Sequence, residues 1–223
     1  MTRNILFTLL LSACCSMSFA QYTQIGNASL STYFFGPISP DSALNAYSKY
    51  AYTYPAATLS TLQHGDTIRS LSFFFNDSDS LQGNCNMRIL LASSSDADFG
   101  PSRLNWDRTA RSGMLEVFNG SPKNIIGNTP GEKRFPFSKA FGWDTTGGRT
   151  NLRVLVEYTQ STKQVGRLTW NVETGSTVPG FVSNNETKYI FGASTSTGNY
   201  SIDSITALEH LTKPTIRLYH PDI

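Results

Sequence analysis

The side chains in this chain that could do chemistry are three histidines, ten aspartates, six glutamates, three tryptophans and, past the first twenty residues, one cysteine. His64, His210 and His220 stand in or near stretches that read as turns. No Gly-x-Ser-x-Gly, His-Glu-x-x-His or Cys-His pairing makes a nucleophile or a metal site of them, so each reads as a surface histidine. Cys85 opens the run CNMRILL with no histidine close in sequence to lower its pKa. It reads as a small hydrophobe rather than a reactive thiol. Asp77 with Asp79, and Asp96 with Asp98, set oxygen donors at alternating positions, as a hard cation such as Ca2+ requires. Neither set has the denser acidic pattern of a dedicated calcium loop, and a solvated polar loop is preferred; no cofactor is expected. Glycoside hydrolysis needs a carboxylate pair at a set spatial separation. The six glutamates read mostly as solvated strand or loop residues, so the chain is not expected to be an enzyme.

Recognition chemistry fits better. A sugar ring needs a flat aromatic face flanked by amide and carboxylate groups that bond its hydroxyls. Trp106, with Asn105, Asp107 and Arg108 on a long polar connection, is the first candidate, and Trp143 the second. Trp143, next to Phe141 and just ahead of a strand, reads more readily as a plug at the end of the core. Tyr50, Tyr52 and Tyr54 share one face of a strand, and such faces pack inward more often than they form stacking platforms.

Strands position these residues. In Thr150–Thr159, Leu152, Val154 and Val156 alternate with Arg153, Leu155 and Glu157; in Thr67–Asn76, Ile68, Leu71, Phe73 and Phe75 are strung through polar partners. Both read as central strands of an antiparallel sandwich. Ala46–Tyr54, Cys85–Leu91, Met114–Phe118, Lys133–Phe141, Arg167–Val172, Lys188–Phe191 and Thr215–Tyr219 read as further strands, Lys133–Phe141 as an edge or bulged one because of Pro136. Gln21–Pro40 reads as a polar, looping lead-in, Ala56–Leu62 as a short helical turn, and Asn119-Gly120 as a turn signal. Turn signals about every ten residues and no long helical period predict an all-β fold, an antiparallel β-sandwich of jelly-roll type.

The 223 residues suit one such domain, with 39% hydrophobic and only 15% charged residues. The net charge of +2 comes from scattered basic residues, which disfavours nucleic acid as a partner. Residues 1–20 read as a secretory signal peptide: Arg3, the apolar Ile5–Cys15, and Ser18-Phe19-Ala20 before a cut at Gln21. No later run approaches the roughly 20 apolar residues of a membrane helix, so 21–223 is expected to be a single domain with no transmembrane segment. Leu11-Ser12-Ala13-Cys14 resembles a bacterial lipobox that would lipidate Cys14, but soluble secretion is preferred, because a cut after Ala20 leaves a polar beginning. That cut leaves Cys85 alone, with no internal disulfide to form.

The order of features resembles a domain that recurs in secreted and surface proteins of Bacteroidota. It is carried by Tyr47–Tyr54, Ile68–Phe75, Met87–Leu91, Asn105-Trp106, Val117–Gly120, Phe135-Pro136-Phe137, Phe141–Asp144, Asn151–Tyr158 and Pro214–Leu218. The resemblance implies a jelly-roll module similar to carbohydrate-binding and adhesion modules. Its expected setting is the periplasm or outer surface of a Gram-negative cell, and its expected partner a protein or a glycan of the envelope. No additional C-terminal sorting domain is seen before Ile223, so the general secretory route is the expected one. Exported proteins of that phylum can carry O-glycans at Asp-Ser/Thr followed by an apolar residue or Thr. The resemblance thus nominates Ser42, Thr67, Ser80, Thr145 and Ser204, all expected in turns, where the bare dipeptide also serves as ordinary turn chemistry. Recognition or adhesion is the expected role, a structural subunit of an outer-membrane or filament assembly the alternative, and a glycan-active hydrolase the last; the oligomeric state is left open.

Overall fold

In the computed structural model of the chain the described residues are 21–27, 32–33, 36–39, 46–101, 104, 112–164, 166, 168–174, 186–193 and 212–220. The predicted signal segment, Cys14 within it, and Asn105, Trp106, Asp107, Arg108, Ser42, Ser204 and His210 lie outside them.

Among the described residues twelve strands and one short α-helix run in the order β1 (Gln21–Ile25), β2 (Thr32–Tyr33), β3 (Ala46–Tyr54), β4 (Thr67–Phe75), β5 (Cys85–Ser94), β6 (Leu115–Gly120), α1 (Lys123–Ile126), β7 (Gly131–Gly142), β8 (Asn151–Gln160), β9 (Trp170–Thr174), β10 (Thr187–Ala193), β11 (Thr212–Pro214) and β12 (Ile216–His220), with 3-10 turns at Ala56–Thr58, inside the expected helical turn, and at Thr146–Gly148. They build two antiparallel sheets. A seven-stranded sheet runs β1-β12-β4-β9-β11, with β7 on β4 and β2 on β9; a five-stranded sheet runs β10-β3-β8-β5-β6. The fold is an all-β sandwich, and β4 and β8 are internal strands of opposite sheets.

Alternation explains the interior. On β8, Leu152, Val154, Val156 and Tyr158 turn into the main core, where they meet Leu71, Phe73 and Phe75 of β4 and Tyr50, Tyr52 and Tyr54 of β3. Leu155 points the other way and is equally buried. It packs with Ala51, Leu90 and Leu104, and with the partly buried Phe99 and Met114, on the far face of the five-stranded sheet. The long connection after β5 is thus pinned over that face by Phe99 and Leu104.

Parity breaks at one place. Ile68 and Leu71 are both 0% exposed although they lie three apart, and the register against β7 shifts between Ile68 and Ser70. Such an irregularity re-aims side chains, and it lets both residues reach the core. The opposite edges β6 and β7 meet across the rim, where Ser138 Oγ donates to the Val117 carbonyl at 3.1 Å and the Phe118 and Phe135 rings lie edge to face at 5.3 Å.

The lead-in expectation needs correcting: Gln21–Ile25 is a strand paired with β12. Among its residues of described burial, Thr23 and Ile25 face inward, too short a run for the alternation to stand out. Asn119 and Gly120 end β6 rather than forming a hairpin turn, because Met87 and Arg88 continue to pair with them.

Candidate functional site

Among the expected site residues that are described, Trp143 is 2% exposed and belongs to the core. Its backbone is clamped to the turn before β4, its N–H donating to the Asp66 carbonyl at 2.7 Å and its carbonyl accepting from Gly65 at 2.9 Å. No ring face is left for a sugar, which corrects the ligand expectation in favour of the core plug. The tyrosine face of β3 is likewise interior. The Tyr52 hydroxyl donates to the Gly36 carbonyl at 2.7 Å and that of Tyr54 to the Pro214 carbonyl at 2.8 Å, while Tyr50 bonds Ser39. Burial pushes all three phenols well above their ordinary pKa.

Three of the four carboxylates weighed for calcium, those of Asp77, Asp96 and Asp98, serve the chain itself. Asp77 Oδ1 accepts from the Ser78 and Asp79 amides and its Oδ2 from Thr169 Oγ1 at 3.1 Å. Asp98 accepts from Gly100, and Asp96 from Arg153 at 2.9 Å. Among the described residues no three His, Cys, Asp or Glu side chains gather to hold a metal, and no helix is long and apolar enough to cross a membrane. Cys85 is half-buried, its Sγ 3.8 Å from Ser121 Oγ.

Two polar expectations are overturned. His220 is 8% exposed, with Nε2 3.4 Å from Thr23 Oγ1, because the even positions of β12 face inward. Glu157, Glu173 and Glu186 are buried rather than solvated. Glu157 receives Arg88 Nη1 at 2.9 Å, Glu173 takes the Asn27 amide, and Glu186 takes the ammonium of Lys213. Of the modification candidates, Ser80 is exposed and Thr145 half-buried beside a turn; Thr67 is the first residue of β4, and so not in a turn.

The outer face of the seven-stranded sheet collects a different set. Strand register sets Tyr22 beside Tyr219, Ser70 and Pro136 in one row across β1, β12, β4 and β7, and Gln24 beside Arg217, Ser72 and Arg134 in the next. Phe74 and Glu132 follow in a third. Tyr22 is 51% exposed, the exposed large aromatic among the described residues. Its ring lies 5.8 Å from that of Tyr219, tilted by 49°. No family model, curated protein or solved structure matches this chain.

Arginines organise the face. Arg217 reaches over the Tyr22 and Phe74 rings, 4.4 and 5.0 Å from their centres. Its Nε and Nη2 donate to Gln24 Oε1, and its Nη1 to Glu132. Tyr219 donates its hydroxyl to Glu132, and burial followed by that contact raises the phenol's pKa. Arg134 lies over the other side of the array, 3.8 Å from the Tyr219 ring centre, with Nε donating to Ser70 Oγ at 2.7 Å. Small serines on β4 therefore form a floor between large aromatic and planar cationic groups, a surface with stacking faces and oriented hydrogen-bonding groups. Sequence reasoning did not find it, since its rows join residues from both ends of the chain.

Proposed function

We propose that the chain from Gln21 onward is an exported, non-catalytic recognition module that binds a glycan across the outer face of its seven-stranded sheet. The observation that carries this reading is the exposed Tyr22 ring beside Tyr219, ringed by Gln24, Arg217, Glu132 and Arg134. A sugar can stack on the aromatic faces while its hydroxyls meet the amide, carboxylate and guanidinium groups. A jelly-roll relationship to Bacteroidota surface modules, location in the periplasm or on the cell surface, and O-glycosylation at exposed Ser80 belong to the same reading.

The test is a glycan array probed with the protein spanning residues 21–223 and with Tyr22→Ala, both checked for strand content by circular dichroism. Tyr22→Ala is expected to keep its fold and lose at least tenfold in affinity; unchanged binding would sink the outer-face site. A second reading has its own observation. β1 ends the sheet order and pairs with β12 alone among the described strands, leaving an edge to which another chain could add a strand. Light scattering after gel filtration separates the two: an assembly subunit elutes as a concentration-dependent oligomer, and a glycan module does not require one.

A further inference from the structure

We infer that the glycan taken by this face is anionic and that Arg134 grips its carboxylate or sulfate group, an inference that rests on the glycan reading above. The two arginines bonded within the array differ in what they have left to give. Arg217 is fully engaged, with Nε and Nη2 on Gln24 and Nη1 on Glu132. Arg134 is exposed and uses only Nε, on Ser70; its two terminal nitrogens have no hydrogen-bond partner among the described residues.

That guanidinium is also held before any ligand arrives. The Tyr219 ring supports it at 3.8 Å and Ser70 fixes its Nε, which leaves the terminal pair as a fork of fixed direction. A planar fork matches a carboxylate or sulfate bidentately, and prior ordering lowers the entropic cost of binding.

Three further observations point to the same chemistry. Ser72 Oγ, in the row between Arg217 and Arg134, is fully buried and has no partner among the described residues. The register shift between Ile68 and Ser70 leaves Arg69 exposed, again with no hydrogen bond among the described residues. Among the described residues of these rows Arg134 and Arg217 stand against one carboxylate, Glu132, whose charge Arg217 and the Tyr219 hydroxyl already engage. An acidic sugar brings the charge this surface lacks, and Tyr22 offers its ring the adjoining aromatic face.

Calorimetric titration of the 21–223 protein tests this with three probes: an oligogalacturonate, a chondroitin sulfate oligosaccharide, and the fully methyl-esterified oligogalacturonate as the uncharged control. Wild type is expected to bind an anionic probe at least tenfold more tightly than the esterified one, with affinity falling as salt rises. Whether the uronate or the sulfated probe binds better tells which anion the fork is set for. Arg134→Ala should lose at least tenfold on that probe and little on the esterified one. Arg134→Lys should recover only part, because a point charge does not reproduce the fork. Equal affinity for charged and esterified probes, or an Arg134→Ala protein that keeps its anion preference, overturns the inference; if Tyr22→Ala still abolishes binding in that case, the glycan reading survives it. Failure of wild type to bind any glycan overturns both. Should Arg134→Ala fold poorly, the wild-type charge preference and Arg134→Lys decide.

Discussion

Lys213 provides a test of the buried interior through pH. The residue is 0% exposed; its Nζ donates to the Thr53 carbonyl at 2.9 Å and to Glu186, whose side chain is only 5% exposed, and lies 5.4 Å from the Tyr54 ring centre. Burial lowers the pKa of its ammonium from 10.5 to about 8, and the hydrogen bond and charge of Glu186 oppose that without cancelling it. The folded chain then gives up this proton near pH 8 while the unfolded chain holds it to 10.5. In that window the unfolded state binds more protons, so stability rises with pH. A tenfold difference in proton affinity between the two states is worth about 1.36 kcal/mol, so linkage gives a gain of about 2 kcal/mol between pH 7 and pH 9.5. Above about pH 10 the trend reverses: burial raises the phenols of Tyr50, Tyr52, Tyr54 and Tyr158, so the unfolded chain ionises them first. Urea unfolding followed by tryptophan fluorescence at pH 7, 8, 9 and 9.5 reads this directly. Lys213→Met removes the titrating ammonium together with its hydrogen bonds to the Thr53 carbonyl and Glu186. Its slope over the same range should be flat. Wild-type stability that stays level or falls between pH 8 and 9.5 would refute the reasoning, since Glu186 would then hold the ammonium charged against the cost of burial.

Two further substitutions probe packing. Gly36→Ala would set a methyl group 2.1 Å from Trp170 Cδ1 and 2.2 Å from Cγ, so the rigid ring has to move. A loss of about 1–3 kcal/mol in denaturant unfolding is expected, together with a changed near-ultraviolet dichroism of Trp170; wild-type stability would rule out that close approach. Trp143→Ala should cost about 3–5 kcal/mol as a large core truncation. Its folded fraction should bind glycan as wild type does, whereas a selective loss of binding would return Trp143 to the ligand site.

How much of this was legible in the sequence depended on whether the pattern lay within one strand. Strands β4 and β8 announced themselves because each buries a run of β-branched, leucine and aromatic residues, at period two along β8 and from Leu71 onward in β4. Leu155 fitted the period but not the expectation of a polar outer face, because the residues that cover it arrive from the long connection after β5. Lys213, Glu173 and Glu186 were illegible for an electrostatic reason: a charged residue in a strand reads as solvent-facing until its partner is known. The partner of Lys213 lies 27 residues away, with no sequence pattern joining them. The Tyr22–Tyr219 array was hidden by register, which only the folded sheet supplies.

The pairing of Gln21 with His220 also sets an order of events. β1 is the first of the described strands to be synthesised, yet its described neighbour, β12, is the last. Among the described strands none made in between pairs with β1, so nearly the whole chain has to emerge before the described seven-stranded sheet can close. Such long-range closure makes folding slow and leaves β1 unpaired meanwhile. The arrival of the last described strand thus fastens the first.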